Sequence, residues 1–271
     1  MEKSLIEYRH TGYSQSGEEG IIKHIVFILG INKGLCCEFG AWDGIHLSNT
    51  RALLETGWRG LLIEGDKDRF KDLLKTYPPG SEGICALEFV DGSTNSLAKI
   101  AYRYGITDRF DFVSIDIDGL DFEIFSSLKE FTTPPLVVCV EAHTCHIADD
   151  ETPVPPRPSG SDPGQPLGRY VAVGRQMGYR LVGFLGTNAF FVHANAGHEK
   201  ELPTISPVEA AKLNFALIME NNFAREYLFR VNLGLEPPYH KFGNPLFSRK
   251  SLKLSLIRAL QLQYLNHAAG K

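Results

Sequence analysis

The chain has 271 residues, enough for one α/β domain with an ample core plus an appendage and too few for two full-sized domains. With 43% hydrophobic and 22% charged residues, it has the make-up of an ordinary globular protein rather than a disordered or fibrous one. A formal net charge of -4 sets up no field that would draw the molecule onto nucleic acid or an anionic membrane.

No run of about 18 apolar residues occurs, and Met1-Glu2-Lys3-Ser4 opens into a polar stretch, so neither a membrane span nor a signal peptide is predicted and a cytoplasmic protein is expected. The five cysteines are odd in number and lack CxxC spacing. Cys36, Cys37, Cys85 and Cys139 fall in strand-like runs, where reduced, structural side chains are expected.

Residues 17–29 carry Ile21, Ile22, Ile25, Val26 and Leu29 at helical spacing, and Gly30 ends that helix. A buried strand over 34–39 then breaks into a glycine-containing turn before a helix around 48–55. A second unit follows, with a strand at 61–63 and a helix at 66–77 stopped by Pro78-Pro79. The alternation continues with strands near 83–89, 111–116 and 136–140 and helices near 96–104 and 122–128. Aliphatic, β-branched strands alternating with helices predict a parallel, doubly wound sheet covered on both faces.

Six prolines between Asp149 and Gly168 mark a long loop, either a lid or a segment without fixed structure. A helix near 167–177 leads to strands over 179–185 and 189–192 joined by Gly186-Thr187-Asn188, a hairpin that requires one antiparallel strand. Beyond Gly197 the alternation stops. Ser206-Pro207-Val208-Glu209 reads as a capping box opening a helical tail. Leu252, Leu256, Leu260 and Tyr264 predict a last helix near 248–266 that packs on the domain or on a partner subunit. The expected division is a domain over 1–197 and a helical C-terminal extension over 198–271.

Chemistry concentrates after the strands. In Glu38-Phe39-Gly40-Ala41-Trp42-Asp43-Gly44 the glycine lets backbone approach a nucleoside, and Glu38 and Asp43 can accept from ligand hydroxyl or amine groups. Trp42 stands where a dinucleotide fingerprint needs a small residue, which argues against close pyrophosphate approach and against a nicotinamide enzyme. Glu64 ends the next strand, where this fold presents an acid to a ribose diol.

Several stretches, taken in order, resemble FkbM-type S-adenosylmethionine-dependent methyltransferases across roughly residues 12–193. They are Ser14 to Gly20, Glu38 to Gly44, Gly57 to Gly65, Ser114 to Asp121 and Asn188 to Val192. The resemblance implies S-adenosylmethionine as cofactor and a Rossmann-like class I methyltransferase fold, a seven-stranded mostly parallel sheet with one antiparallel strand. It also implies that Glu38 and Gly40 line the methionine and ribose part of the cofactor, that Glu64 holds the ribose hydroxyls, and that Asp91 lies near adenine. Gln15 would reach the amino-acid end, although Gln15 and Glu19 serve equally well as caps of the first helix.

Asp116 and Asp118 end the fourth strand, and Glu141 and His143 the fifth, so these groups are expected to converge. Two schemes stand. Asp116, Glu141 and His143 would bind Mg²⁺ or Mn²⁺, as in catechol-type and macrocin-type O-methyltransferases, and activate a substrate hydroxyl. Alternatively Asp116 accepts from the cofactor amine, Asp118 and Asp121 start a helix, and His143 is a metal-free base. The expected partners are a small-molecule acceptor, a sugar or natural product bearing the hydroxyl, and a second copy of the chain, as a homodimer through the C-terminal helices. An amine acceptor or a non-catalytic binding protein are the alternatives.

Overall fold

The computed structural model describes residues 4–143, 146–155 and 164–220, so the predicted last helix and the middle of the proline-rich loop lie outside the described residues. Seven strands form one sheet: β1 (Leu35–Phe39), β2 (Arg59–Glu64), β3 (Gly83–Leu87), β4 (Phe112–Ile115), β5 (Val137–Glu141), β6 (Tyr179–Leu185) and β7 (Asn188–His193). Their spatial order is β3-β2-β1-β4-β5-β7-β6. β1 to β5 run parallel, and β7 runs antiparallel to both β5 and β6. This is the Rossmann-like methyltransferase fold, with the reversed strand slotted inside the sheet so that β6 forms the edge.

Strand side chains alternate between two cores, as the pleat requires. Cys37, Leu61, Ile63, Val113 and Val138 pack on one face with residues of α4 (Leu97–Arg103), α5 (Asp121–Ser127) and α6 (Leu167–Gln176). Cys36, Leu62, Phe112, Val137 and Cys139 pack on the other with α1 (Glu18–Ile28), α2 (Arg51–Leu54) and α3 (Lys67–Thr76). The predicted apolar stripe Ile21, Ile22, Ile25 and Val26 is what α1 buries. α3 begins one residue later than its pattern suggested because Asp66 is its cap, accepting from the backbone N–H groups of Asp68 and Arg69.

α2 is much shorter than the predicted helix, because residues 48–50 are drawn onto Glu38 and helical geometry starts only at Arg51. β3 stops at Leu87, which frees residues 88–90 to form irregular wall rather than strand. α7 (Pro207–Glu220) follows, with Glu209 N–H donating to Ser206 Oγ as the capping box predicts. Among the described residues no helix is long and apolar enough to cross a membrane. Cys36, Cys37 and Cys139 are buried free thiols, and Cys85 is partly buried.

Candidate functional site

In a doubly wound sheet the crevice opens where strand order reverses, here between β1 and β4 at their C-terminal ends. A cleft of about 570 Å³ lies there. Gly40, Ala41 and Trp42 line its middle. Glu64, Glu88, Phe89 and Val90 wall it beyond β2 and β3, and Asn49, Ser114, Asp116 and Asp118 wall it beyond β1 and β4.

Gly40 has φ +66°, and a Cβ there would sit 2.5 Å from the carbonyl oxygen of Asp116. Only glycine lets the first loop turn against the end of β4. Trp42, Leu47 and Asp118 also adopt positive φ (45°, 58° and 58°), and all three line the cleft. Left-handed non-glycine residues gathered on one cavity are a mark of functional sites.

Glu38 is 4% exposed, and its carboxylate accepts from Ser48 Oγ (2.7 Å), Asn49 N (2.6 Å) and Thr50 Oγ1 (2.6 Å). Burial raises its pKa, while these donors oppose the rise. Glu38 therefore shapes the wall by holding residues 48–50. Glu64 is 5% exposed and accepts from the backbone N–H groups of Trp42 (2.8 Å) and Asp66 (2.7 Å). Two donors leave the carboxylate with spare lone pairs for a diol.

Of the predicted cofactor contacts, Glu38, Gly40, Glu64 and Asp116 line the cleft, whereas Gln15, Asp43 and Asp91 are not among its lining residues. Asp43 accepts from the backbone of Ile45 and His46 and from the His46 ring. Asp91 closes its own turn, accepting from Ser93 N, Asn95 N and Thr94 Oγ1, and these bonds hold its carboxyl well below the usual range. The wall expected of Asp91 is supplied by Glu88, Phe89 and Val90. Glu19 is structural but does not cap α1: its carboxylate holds the preceding loop, accepting from Gly12 N and Tyr13 N, and pairs with Lys23 Nζ.

At the β4 end, Asp116, Asp118 and Glu141 bring ligand atoms within 4.8 Å of one another. The sequence-based trio was Asp116, Glu141 and His143. The group within bridging distance contains Asp118, exposed and at positive φ, where the sequence suggested His143, whose ring lies against Gly164 and acts electrostatically on Glu141. Asp118 does not start α5. Asp121 does, accepting from Ile117 N (2.9 Å) and Gly119 N (2.9 Å).

Burial and the neighbouring Asp121 carboxylate push the Glu141 carboxyl up to about 7, while nearby His143 opposes the rise. Burial, then Glu141, push Asp116 up strongly. Among the described residues, no lysine or arginine forms an ion pair with Asp116, Asp118, Asp121 or Glu141. Glu141 Oε2 is buried without a hydrogen-bond partner. Three carboxylates, one with an orphaned oxygen, at a spacing a single ion can bridge, suit a hard divalent cation.

Sequence reasoning passed over Ser48-Asn49-Thr50, His46, Arg69 and the 88–90 wall. The polar triplet was the available signal, since three consecutive hydrogen-bonding side chains make a poor helix start without a partner to satisfy.

No protein-family model matches the sequence, and no curated protein matches it. Among solved structures, the chain is similar to a TehB-like SAM-dependent methyltransferase from Corynebacterium glutamicum, at 13% identity, covering 70% of this chain and 92% of that one, with a TM-score of 0.42. It is also similar to the N-terminal domain of EvdMO1, determined in the presence of SAH and D-fucose, at 14% identity, covering 65% and 80%, with a TM-score of 0.41. A third similar structure is the mitomycin 7-O-methyltransferase MmcR, at 15% identity, covering 65% and 56%, with a TM-score of 0.36. Likenesses this remote carry no residue correspondence, and the fold assignment rests on the strand order and direction.

Proposed function

We propose that the chain is an S-adenosylmethionine-dependent methyltransferase that methylates a hydroxyl of a small molecule, a sugar or natural product, with a divalent cation held by Asp116, Asp118 and Glu141. The observation that carries this proposal is a cleft at the strand-order reversal lined by Glu64 on one side and by Asp116 and Asp118 on the other, the latter two within 4.8 Å of a Glu141 carboxylate oxygen. Glu64 takes the ribose hydroxyls, Phe89, 76% exposed on the wall, offers its ring to adenine, and the positive φ of Gly40 keeps the loop flat beneath the nucleoside. Trp42 lines the cleft at the loop position where close pyrophosphate approach needs a small residue. The sulfonium then lies toward Asp116, where the surrounding charge is negative.

In the transfer, the substrate oxygen attacks the methyl carbon in line as the carbon–sulfur bond breaks, and the bonding pair stays on sulfur. The hydroxyl proton leaves to a base. Positioning supplies most of the acceleration, for which effective molarities of order 10⁵ M or more are available. When bound, a divalent cation lowers the pKa of the hydroxyl it touches. A second, metal-free scheme takes Glu141, whose buried Oε2 has no hydrogen-bond partner, as the base in place of His143. As a further part of the proposal, the leucine-spaced C-terminal segment pairs two copies of the chain.

Two measurements test this. S-adenosylmethionine at about 100 times its Kd should raise unfolding stability by about 2.7 kcal/mol. No shift at saturation would leave a non-catalytic protein. In a screen over sugars, phenols and amines, release of S-adenosylhomocysteine should collapse in EDTA and return with Mg²⁺ or Mn²⁺, whereas full turnover in EDTA would select the Glu141 base.

A further inference from the structure

Asn49 has a place in the cleft that neither scheme uses. It is 5% exposed and lines the cleft beside Glu38, Ser114 and Asp116. Its backbone N–H donates to Glu38, and its Nδ2 donates to Ser114 Oγ at 3.0 Å. Its Oδ1 is buried and has no hydrogen-bond partner. Of the three buried side-chain atoms in that condition among the described residues, only this one belongs to a residue lining the cleft. A buried carbonyl left unpaired is costly, and folded proteins keep few such groups without a use for them.

The neighbourhood says what kind of group would satisfy it. Asp116 and Glu38 are acceptors, and no lysine or arginine side chain lines this end of the cleft. The missing partner is therefore a donor, and one favoured by negative surroundings. A primary ammonium fits, since it carries three N–H donors and a positive charge. The amide's terminal torsion is soft, so Oδ1 can turn toward the cleft as a ligand enters.

We propose that Asn49, through Oδ1, receives the α-ammonium of the methyl donor, so that Asn49 determines specificity for the amino-acid end of the cofactor. This rests on S-adenosylmethionine being the ligand of the cleft.

The test compares binding of two ligands to the full chain by calorimetry: S-adenosylhomocysteine and its analogue with hydrogen in place of the α-amino group. The wild-type protein should prefer the amine-bearing ligand by at least tenfold. Asn49→Leu, close in shape and unable to accept, should cut that preference by tenfold or more while changing affinity for the deaminated analogue less than threefold. Asn49→Ala supplies the same comparison should the leucine variant misfold, and circular dichroism verifies the fold of each. An unchanged preference in a folded variant, or equal weakening of both ligands, overturns the role of Asn49 and leaves the cofactor assignment standing. Failure of the wild-type chain to bind either ligand overturns the cofactor assignment and this inference with it.

Discussion

Gly40 is where backbone geometry and ligand access meet most directly. Its φ of +66° disfavours any L side chain, and the atom a Cβ would meet at 2.5 Å is a backbone carbonyl of Asp116, which cannot swing aside. Gly40→Ala should destabilise the fold by about 1–3 kcal/mol. It should also weaken S-adenosylhomocysteine binding by at least tenfold, because relief of the clash pushes the loop into the cleft. Denaturant unfolding and calorimetry on the same variant read both effects, and unaltered ligand affinity would show that the loop does not touch the nucleoside. Gly40, like Glu64 and Asp116, was legible in the sequence because each sits at a strand end, where position along the chain nearly determines position in space. His143 and Asp118 were not separable that way. Which of them faces Glu141 depends on the left-handed turn at Asp118 and on how the chain leaves β5, and neither is encoded in spacing.

The elements themselves came through in type and order, since strand and helix periodicities differ and glycine and proline punctuate them. Lost to sequence reasoning were features set by contacts between elements: the insertion of β7 between β5 and β6, and the late start of α2. The second has one identifiable cause, the three bonds from residues 48–50 to Glu38. Thr50→Val keeps the shape and removes one of them, leaving a buried carboxylate oxygen with one donor fewer. The expected cost is about 1.5–3 kcal/mol, the range for hydrogen bonds to charged groups, measured by urea unfolding of the ligand-free protein. A change below about 0.5 kcal/mol would mean that the Glu38 tie does not hold this wall. A loop held by a buried acid also explains how a short α2 can sit beside an open cleft without collapsing into it.

At the scale of the whole molecule, the buried acids make stability depend on pH in an unusual direction. Burial raises the carboxyl groups of Asp116, Asp121, Glu18 and Glu141, the last to about 7. A group whose folded pKa lies above its unfolded one holds its proton longer in the folded state. Its contribution is fully present below the unfolded value and is lost as pH rises through the folded value. For Glu141 that window runs from 4.5 to about 7. In EDTA, the unfolding midpoint should therefore fall between pH 6 and pH 8, where proteins lacking such groups change little. Glu141→Gln should remove part of the slope, of order 1–3 kcal/mol at one pKa unit per 1.36 kcal/mol. Mn²⁺ should restore the wild-type midpoint at pH 8 and do much less for Glu141→Gln, because a cation neutralises the same charges that deprotonation exposes. A wild-type chain equally stable at pH 6 and pH 8 in EDTA would mean that these carboxylates are already compensated, and the case for a cation among them would go with it. If the slope is present and Mn²⁺ leaves it unchanged, the carboxylates are uncompensated but do not bind the ion, and proton removal falls to Glu141 itself.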